Sequence, residues 1–204
     1  KIGSGFNTIK VDGPTLIVGA GCTLAYVSKV ACDNNLGGLE FACGIPGSIG
    51  GAEYMNAGAY GSEMKNVVSS IKALTLDGKI KEYSNDELKF DYRYSILKET
   101  KEIVIEICFR LEKKNKDDIK NEMDILNKKR KEKQPINYPS AGSVFKRPDG
   151  AFAGQLIEKS SLKGTCVGGA EISLLHANFI INKKNATASD VINLIKLTQD
   201  KVYE

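Results

Sequence analysis

The chain has 204 residues, of which 42% are hydrophobic and 26% are charged, an ordinary globular composition that can fill one large domain or two small ones. The net charge of +4 suits anionic small molecules as well as nucleic acid, so charge alone does not indicate a function. The sequence contains no long apolar run and no signal-like segment, which predicts a cytoplasmic protein without membrane insertion.

The first part of the chain, residues 1–112, is predicted to consist of short strands joined by glycine-rich turns. Thr15–Gly21 has the pattern of a strand and turn, and Thr23–Asn34 has the apolar spacing of a helix. Three further β-like segments follow, at residues 67–76, 79–83 and 103–111. The pair Asp77-Gly78 between the first two of these predicts a hairpin turn.

Residues 113–133 are rich in charge and carry a sparse helical stripe, which predicts a connector helix. Pro135 ends this helix, and residues 134–204 return to strands and helices punctuated by glycine. An amphipathic helix is predicted over residues 185–204. The chain opens on Lys1 instead of Met and stops without a helix cap, which predicts a fragment of a longer protein.

The five cysteines lie at least ten residues apart, whereas a zinc site, an iron–sulfur cluster or a dithiol motif needs closer pairs. We therefore expect no metal, and we expect the thiols to be buried and reduced.

The most informative stretch is Gly44-Ile45-Pro46-Gly47-Ser48-Ile49-Gly50-Gly51-Ala52, followed by Asn56-Ala57-Gly58-Ala59-Tyr60-Gly61. Glycine lets a backbone approach a ligand closely, and successive amides can bind a pyrophosphate or the edge of a flavin ring. The stretch does not match the G-x-G-x-x-G fingerprint, so a Rossmann domain is not predicted. A tight structural turn remains the alternative for such a loop taken by itself.

Further motifs follow this loop in a fixed order. They are Tyr92-Arg93-Tyr94-Ser95, then Pro139-Ser140-Ala141-Gly142-Ser143-Val144-Phe145-Lys146-Arg147-Pro148, then Gly168-Gly169-Ala170-Glu171 and His176-Ala177-Asn178-Phe179. Together with the glycine-rich loop they resemble the UDP-N-acetylenolpyruvoylglucosamine reductase family over essentially the whole chain. Arg147, where some members carry Asn, resembles the shorter subtype of that family.

The resemblance implies an α+β protein. Residues 1–112 would form the second lobe of a vanillyl-alcohol-oxidase-type FAD-binding domain, and residues 134–204 an α+β substrate-binding domain. The first FAD lobe and the C-terminal strand with the family's catalytic glutamate would lie outside the chain, so this fragment alone is expected to be a poor FAD binder and inactive. The implied reaction is the reduction of UDP-N-acetylenolpyruvoylglucosamine to UDP-N-acetylmuramate for peptidoglycan, with FAD as cofactor and NADPH as co-substrate.

The resemblance also implies roles for individual residues. The FAD contacts would be Gly44, Ile45, Pro46, Gly47, Ser48, Gly50, Gly51, Ala52, Asn56, Gly58 and Ala59. Arg93 would hold the substrate carboxylate beside the flavin, and Ser143 would be the general acid, tuned by Lys146 and Arg147. Lys133 would lie near the substrate diphosphate. Lys146, Arg147 and His176 complete the expected substrate contacts.

Each of these residues also has a simpler interpretation. Ser143 has the character of a turn residue, and Arg93 and Lys133 that of solvated surface cations. His176, the only histidine, lies in an apolar neighbourhood and is either structural or a substrate contact. Glu171 is interpreted as a structural carboxylate rather than the family's catalytic glutamate.

Two other functions are alternatives to the reductase. A basic module could bind nucleic acid through Lys113-Lys114 and Lys128-Lys129-Arg130-Lys131, but this segment lacks interleaved aromatics and its acids largely offset its bases. A flavin oxidase acting on an alcohol or hydroxy acid would keep the fold, but the motif of residues 139–148 argues against it. The expected partners are therefore the UDP-sugar and NADPH, without nucleic acid.

Overall fold

The structure is a computed structural model that describes residues 2–204. The chain divides into two compact units, Lys1–Lys128 and Lys129–Glu204, and each has its own hydrophobic core. The division falls inside one long helix, within the segment that the sequence predicts to be a connector. The exact domain limits at residues 112 and 133 stay a prediction.

The first unit contains nine strands and the helices α1 to α3. Its strands are β1 (Ile9–Asp12), β2 (Thr15–Gly19), β3 (Leu36–Gly37), β4 (Gly58–Ala59), β5 (Ser62–Glu63), β6 (Val68–Leu74), β7 (Ile80–Ser84), β8 (Ile103–Arg110) and β9 (Glu112–Lys113). Its helices are α1 (Leu24–Asp33), α2 (Ile49–Tyr54) and α3 (Leu97–Thr100), and α4 (Lys116–Lys133) follows.

Five of these strands form an antiparallel sheet in the order β1-β2-β8-β6-β7. β8 lies in the middle, where it pairs with β2 on one side and with β6 on the other. One face of the sheet supplies the core, with Leu16, Ile71 and Ile107 fully buried, while residues such as Lys72 on the other face are exposed. This alternation is typical of a sheet with one buried face.

The hairpin predicted at Asp77-Gly78 is confirmed by the antiparallel pairing of β6 with β7. Gly78 has a φ of +83°, a conformation that a residue with a side chain rarely adopts. Thr75 closes the turn because its hydroxyl accepts a hydrogen bond from the backbone N–H of Lys79 at 2.9 Å. The three strands predicted around this turn are observed as β6, β7 and β8.

Helix α1 confirms the predicted helix after the first strands. Thr23 caps its N-terminus by accepting a hydrogen bond from the backbone N–H of Tyr26. Leu24, Val27 and Ala31 recur at helical spacing and are buried in the core. The short helix α2 packs beside α1 and against the sheet, and so belongs to the same core.

The connector helix begins at Lys116, three residues after the predicted start at residue 113. Glu112 and Lys113 instead pair with Gly37 and Leu36 as the short strands β9 and β3. The side chain of Asn115 accepts a hydrogen bond from the N–H of Asp117 at 2.8 Å, and this bond satisfies a backbone donor at the start of α4. Backbone pairing with a distant strand therefore overrides the charged, helix-like composition of this segment.

The second unit has a four-stranded antiparallel sheet in the order β10-β13-β12-β11 and the helices α5 and α6. These elements are β10 (Ser140–Ser143), α5 (Ala153–Lys159), β11 (Cys166–Val167), β12 (Ala170–Ile172), β13 (Phe179–Asn182) and α6 (Ala188–Tyr203). The predicted C-terminal helix begins at Ala188, later than residue 185, because Thr187 and Asp190 form a capping box there. Leu194 and Thr198 are buried on its inner face.

Candidate active site

The glycine-rich stretch folds against the turn that follows β2. The backbone N–H of Ile49 donates to the carbonyl of Cys22 at 2.7 Å, and that of Gly50 donates to Ala20 at 3.0 Å. The side chain of Ser48 accepts from the N–H of Gly51 and caps α2. Several amides predicted to face a ligand are therefore already hydrogen-bonded within the chain. What the stretch leaves open is mainly the exposed backbone at Pro46, Gly47 and Gly51.

Three glycines of this stretch serve different purposes. Gly47 has a φ of +140°, so the turn itself requires glycine there. A Cβ on Gly50 would lie 2.8 Å from the Cβ of Ala20, so Gly50 allows two backbone segments to pack closely. A Cβ on Gly51 would meet nothing in the chain nearer than the hydroxyl of Ser48 at 3.4 Å. Gly47 and Gly50 thus fit the interpretation of a structural turn, whereas Gly51 leaves room for a ligand to approach the backbone.

Asn56 is fully buried and connects this stretch to the Tyr92–Ser95 turn. Its side-chain amide donates to the carbonyl of Asp91 at 3.0 Å, and its side-chain oxygen accepts from the N–H of Lys65 at 3.0 Å. Both polar ends are thus used inside the protein. These bonds give the Asn56 side chain a supporting role, and the predicted FAD contact at Asn56 stays a prediction.

Arg93 is held against the same stretch. One terminal nitrogen of its guanidinium donates to the carbonyl of Gly58 at 3.0 Å, and the other donates to that of Asn56 at 3.4 Å. The guanidinium also lies 5.1 Å from the centre of the Tyr92 ring. Arg93 has a φ of +54°, which costs on the order of 1 kcal/mol for a residue with a side chain. The interpretation of Arg93 as a solvated surface cation is therefore wrong.

Glu53 lies on α2, between Ser48 and Asn56 in the sequence. No pattern in the sequence singles it out. Its side chain is fully buried, and within residues 2–204 neither carboxylate oxygen has a hydrogen-bond partner. Burial raises the pKa of Glu53 to about 8, so the group is largely neutral at physiological pH.

A cavity of about 290 Å³ opens next to the end of the glycine-rich stretch, where Tyr60 lines it. The ammonium of Lys114 lies in its wall, within 3.1 Å of the Glu40 carboxylate and 2.6 Å of the Glu122 carboxylate. These two hydrogen bonds raise the pKa of Lys114. Because carboxylates outnumber cations in the wall, the cavity is electrostatically unsuited to a diphosphate.

Ser143 lies in the second unit, at the end of β10, where it pairs with Phe179 of β13 and its side chain is exposed. The next two residues are tied to Asn178: the N–H of Val144 donates to its carbonyl and that of Phe145 to its side-chain oxygen, both at 2.8 Å. The backbone directly after Ser143 is therefore anchored to Asn178, directly before β13. The interpretation of Ser143 as a simple turn residue is wrong.

His176 belongs to the same anchoring network. Its Nδ1 accepts a hydrogen bond from the N–H of Asn178 at 3.2 Å, and its ring packs edge-on to Phe179 with centroids 4.8 Å apart. The ring is half-buried, and this burial lowers the pKa of His176. The structure thus brings His176 to the β13 side of the strand that carries Ser143.

The three predicted substrate cations are all exposed. Lys133 is the last residue of α4, and Lys146 and Arg147 follow β10. The guanidinium of Arg147 lies 5.5 Å from the centre of the Phe152 ring. The prediction that Lys146 and Arg147 tune Ser143 stays a prediction.

Glu171 is buried and forms an ion pair with Lys183 at 2.5 Å. The thiol of Cys166 also donates to it, at 3.3 Å, and the hydrogen bond from Lys183 lowers the pKa of Glu171. These contacts agree with the predicted structural role. All five cysteines are free, but Cys166 is exposed and Cys108 is half-buried, so the prediction that every thiol is buried is wrong.

Residues 2–204 contain neither a cluster of metal-ligating side chains nor a membrane-spanning helix. No group of three or more His, Cys, Asp and Glu side chains there is arranged to hold a metal ion. None of the helices in that range combines the length and the apolar character needed to cross a membrane.

Comparison with known proteins identifies the family. Residues 3–84 match the model described as FAD binding domain, and residues 134–204 match that of the UDP-N-acetylenolpyruvoylglucosamine reductase C-terminal domain. A UDP-N-acetylenolpyruvoylglucosamine reductase from Caldanaerobacter subterraneus subsp. tengcongensis is 52% identical over 98% of this chain and 67% of its own length. The chain belongs to the UDP-N-acetylenolpyruvoylglucosamine reductase family. The predicted family and enzyme class, a flavin oxidoreductase, are confirmed.

Other members of the reductase family give the same result. A UDP-N-acetylenolpyruvoylglucosamine reductase from Clostridium botulinum is 50% identical over 96% of this chain and 64% of its own length. The crystal structure of UDP-N-acetylenolpyruvylglucosamine reductase (MurB) from Thermus caldophilus superimposes with a TM-score of 0.88 at 38% identity, covering 97% of this chain and 72% of that one. The chain thus spans about two thirds of the length of the curated relatives it matches. The predicted fold class, an α+β protein with an FAD-binding domain followed by the reductase family's C-terminal domain, is confirmed.

The first unit has features that fit an FAD. Exposed backbone without side chains at Gly47 and Gly51 allows close approach of a flat ring, and a Cβ on Gly51 would occupy open space on that side. Arg93 adds a fixed cation beside Gly58. The residues that would hold FAD are therefore the exposed backbone of the glycine-rich stretch, with Asn56 supporting it from inside.

Proposed function

We propose that the reductase to which this chain belongs converts UDP-N-acetylenolpyruvoylglucosamine to UDP-N-acetylmuramate in the cytoplasm, with FAD as cofactor and NADPH as co-substrate. The product would serve peptidoglycan precursor synthesis. The observation that carries the proposal is the contact between Arg93 and the carbonyls of Asn56 and Gly58. It fixes a cation on the second half of the glycine-rich stretch, and a fixed cation is what a reaction on a carboxylate-bearing substrate next to a flavin requires.

Arg93 would bind the carboxylate of the enolpyruvyl group. A guanidinium has five N–H donors, of which two point to backbone carbonyls here, so the remainder can form a forked pair of bonds with a carboxylate. FAD, when bound, would supply hydride transfer from NADPH to the enolpyruvyl carbon. As negative charge develops beside the carboxylate, a guanidinium already held in position stabilises it without reorganising.

Ser143 would deliver the proton to the carbon next to the carboxylate. Its exposed position at the end of an anchored strand suits contact with substrate, and a positioned acid contributes typically ~10²–10⁴-fold to such a step. Lys133, Lys146 and Arg147 are exposed cations of the kind that bind a nucleotide diphosphate. His176 would position the Asn178 loop behind Ser143, because its Nδ1 already accepts a hydrogen bond from that loop.

The test uses the full-length reductase saturated with FAD. Adding UDP-N-acetylenolpyruvoylglucosamine should start oxidation of NADPH, and mass spectrometry should find a product heavier by two hydrogens. UDP-N-acetylglucosamine, which lacks the enolpyruvyl group, is the matched control and should leave NADPH unchanged. Reduction of the flavin by an alcohol or hydroxy acid in the absence of NADPH would contradict the proposal and favour an oxidase.

A further inference from the structure

Glu53 is the most unusual side chain of the first unit. It is the fifth of the six residues of α2, it is fully buried, and neither carboxylate oxygen finds a hydrogen-bond partner in residues 2–204. Burying an unpaired charge costs far more than burying a neutral carboxyl, so the group keeps its proton in this position. Burial accordingly raises the pKa of Glu53 from an ordinary 4.5 to about 8.

The elements around Glu53 do not supply a compensating charge. α2 packs against β8, α1 and β2, and is hydrogen-bonded to the Tyr92–Ser95 turn. The titratable or charged residues on these elements are Glu106, Cys108 and Arg110 on β8; Tyr26, Lys29, Cys32 and Asp33 on α1; none on β2; and Asp91, Tyr92, Arg93 and Tyr94 at the turn.

Several of these groups are engaged elsewhere. Glu106 pairs with Lys72 at 2.8 Å, and Asp33 pairs with Lys116 at 2.8 Å. The raised pKa of Glu53 is caused by burial, and no neighbouring charge offsets that burial. The pKa of this carboxyl therefore depends mainly on its exposure to solvent.

The helix that carries Glu53 is linked to both motifs of the first unit. Ser48 caps it, and the carbonyl of Tyr54 accepts a hydrogen bond from the buried hydroxyl of Ser95 at 2.9 Å. Immediately after α2, the carbonyls of Asn56 and Gly58 accept from Arg93. Displacing α2 from the core would break or stretch these bonds together.

We propose that the packing of α2 is coupled to a proton on Glu53: the helix closes onto the core with Glu53 neutral, and it opens with release of that proton to solvent, loosening the glycine-rich stretch and the Arg93 turn. The fold thereby carries a pH-sensitive element next to its candidate ligand site. The inference does not rest on the proposed reaction, because every contact in it lies within this chain.

The direction of the pH effect follows from the two states. In the open form the pKa of Glu53 returns to about 4.5, whereas in the closed form it is about 8. Between these values opening releases one proton. The opening constant should therefore rise about tenfold for each pH unit in that window and level off above it. The closed form is favoured most below about pH 4.5 and least above about pH 8.

Hydrogen exchange of the full-length protein, read by mass spectrometry on peptides covering residues 49–54 and corrected for intrinsic exchange rates, tests this. The wild type should show the tenfold rise in opening per pH unit between about pH 5.5 and pH 7.5. Glu53→Gln, which has the same shape but cannot ionise, should lack it. Peptides from α6 serve as the internal control and should behave identically in both proteins.

Glu53→Met, an apolar side chain of similar length, replaces Glu53→Gln if the amide variant fails to fold. A wild type and variant whose α2 peptides exchange in parallel at every pH would overturn the proposal, as would a difference between them that does not depend on pH. The readout requires neither FAD nor turnover. Its failure therefore stays distinct from failure of the proposed function.

Discussion

The guanidinium of Arg93 donates a hydrogen bond to the carbonyl oxygen of Gly58 across 3.0 Å, which joins two sequence motifs that lie 35 residues apart. Because Arg93 adopts a left-handed backbone conformation, its side chain leaves the turn in a direction fixed by that conformation. Arg93 thus holds the glycine-rich stretch in place, and binding of the substrate carboxylate is its proposed second role.

Arg93→Lys in the full-length reductase should weaken use of the enolpyruvyl substrate. A lysine keeps the charge but cannot form the forked contact, and a charge-assisted hydrogen bond is worth about 1.5–3 kcal/mol. The substrate concentration needed for half-maximal flavin oxidation should rise by about tenfold or more, measured by stopped-flow absorbance. Arg110→Lys, at the exposed end of β8, is the control and should change nothing. If Arg93→Lys leaves the substrate dependence unchanged, Arg93 only holds the glycine-rich stretch in place and does not bind the substrate.

Ser143→Ala should separate the two half-reactions, because only one of them delivers a proton to carbon. Flavin reduction by NADPH should stay within a few fold of wild type, whereas oxidation by the enolpyruvyl substrate should fall ~10²–10⁴-fold. Stopped-flow absorbance resolves both. Ser140→Ala, exposed on the same strand, is the matched control. Equal slowing of both steps would make Ser143 structural, and slowing of neither would place the acid elsewhere.

Adjacent glycines should respond in opposite ways to the same substitution. Gly50→Ala places a methyl group 2.8 Å from the Cβ of Ala20, and such overpacking typically lowers the free energy of unfolding by about 1–3 kcal/mol. Gly51→Ala has room and should raise it by about 0.5–1 kcal/mol. Its methyl group, however, points into the open space assigned to FAD, so flavin affinity should fall.

Urea denaturation measures the two stabilities, and quenching of flavin fluorescence on titration measures the affinity. Each variant is the control for the other. The assignment of Gly51 to ligand approach is contradicted if Gly51→Ala binds FAD as tightly as the wild type.

His176 should make the protein less stable in acid. Burial lowers the pKa of His176 below its usual value of about 6.5, so the unfolded chain binds the proton more readily than the folded one. The stabilisation is therefore present above about pH 6.5 and is lost as the pH falls through the folded pKa. Protonation also removes the lone pair on Nδ1 that accepts from Asn178.

His176→Asn offers an oxygen close to the position of Nδ1 without titrating. The difference in melting temperature between wild type and this variant, followed by circular dichroism, should shrink or reverse between about pH 7.5 and about pH 5. A difference that stays constant over this range would show that His176 does not titrate with folding.

FAD should be bound without a covalent link. The glycine-rich stretch contains no histidine or cysteine, and the thiol of Cys43, just before it, is buried and donates to the carbonyl of Met123 at 3.7 Å. Acid precipitation of the full-length protein should release all of the flavin into the supernatant. Colour that stays with the washed pellet would refute this.

The elements with long, regular patterns could be predicted from the sequence. β6 and β8 have several residues each that alternate between core and surface, and α1 has buried residues at helical spacing next to a capping threonine. The family motifs pointed to Arg93 and Ser143. In each case the signal is local, because it depends on periodicity or on contiguous residues.

Other features depend on contacts that no local pattern reveals. β3 and β9 have two residues each and form a pair only because the fold brings them together. α2 was not predicted because it contains Gly50-Gly51, a pair that disfavours a helix in isolation. The burial of Glu53 could not be predicted either, since a glutamate is normally exposed.

The central position of β8 also constrains the order in which the first unit can assemble during synthesis. The hairpins β1-β2 and β6-β7 each join strands that are neighbours in sequence, so they can form as soon as they emerge from the ribosome. They cannot be joined into one sheet until β8 is available between them, and β8 ends at Arg110. Until that residue has emerged, the edges of β2 and β6 that β8 later covers stay unpaired. During this interval the nascent chain is open to edge-to-edge aggregation, against which a chaperone would protect it.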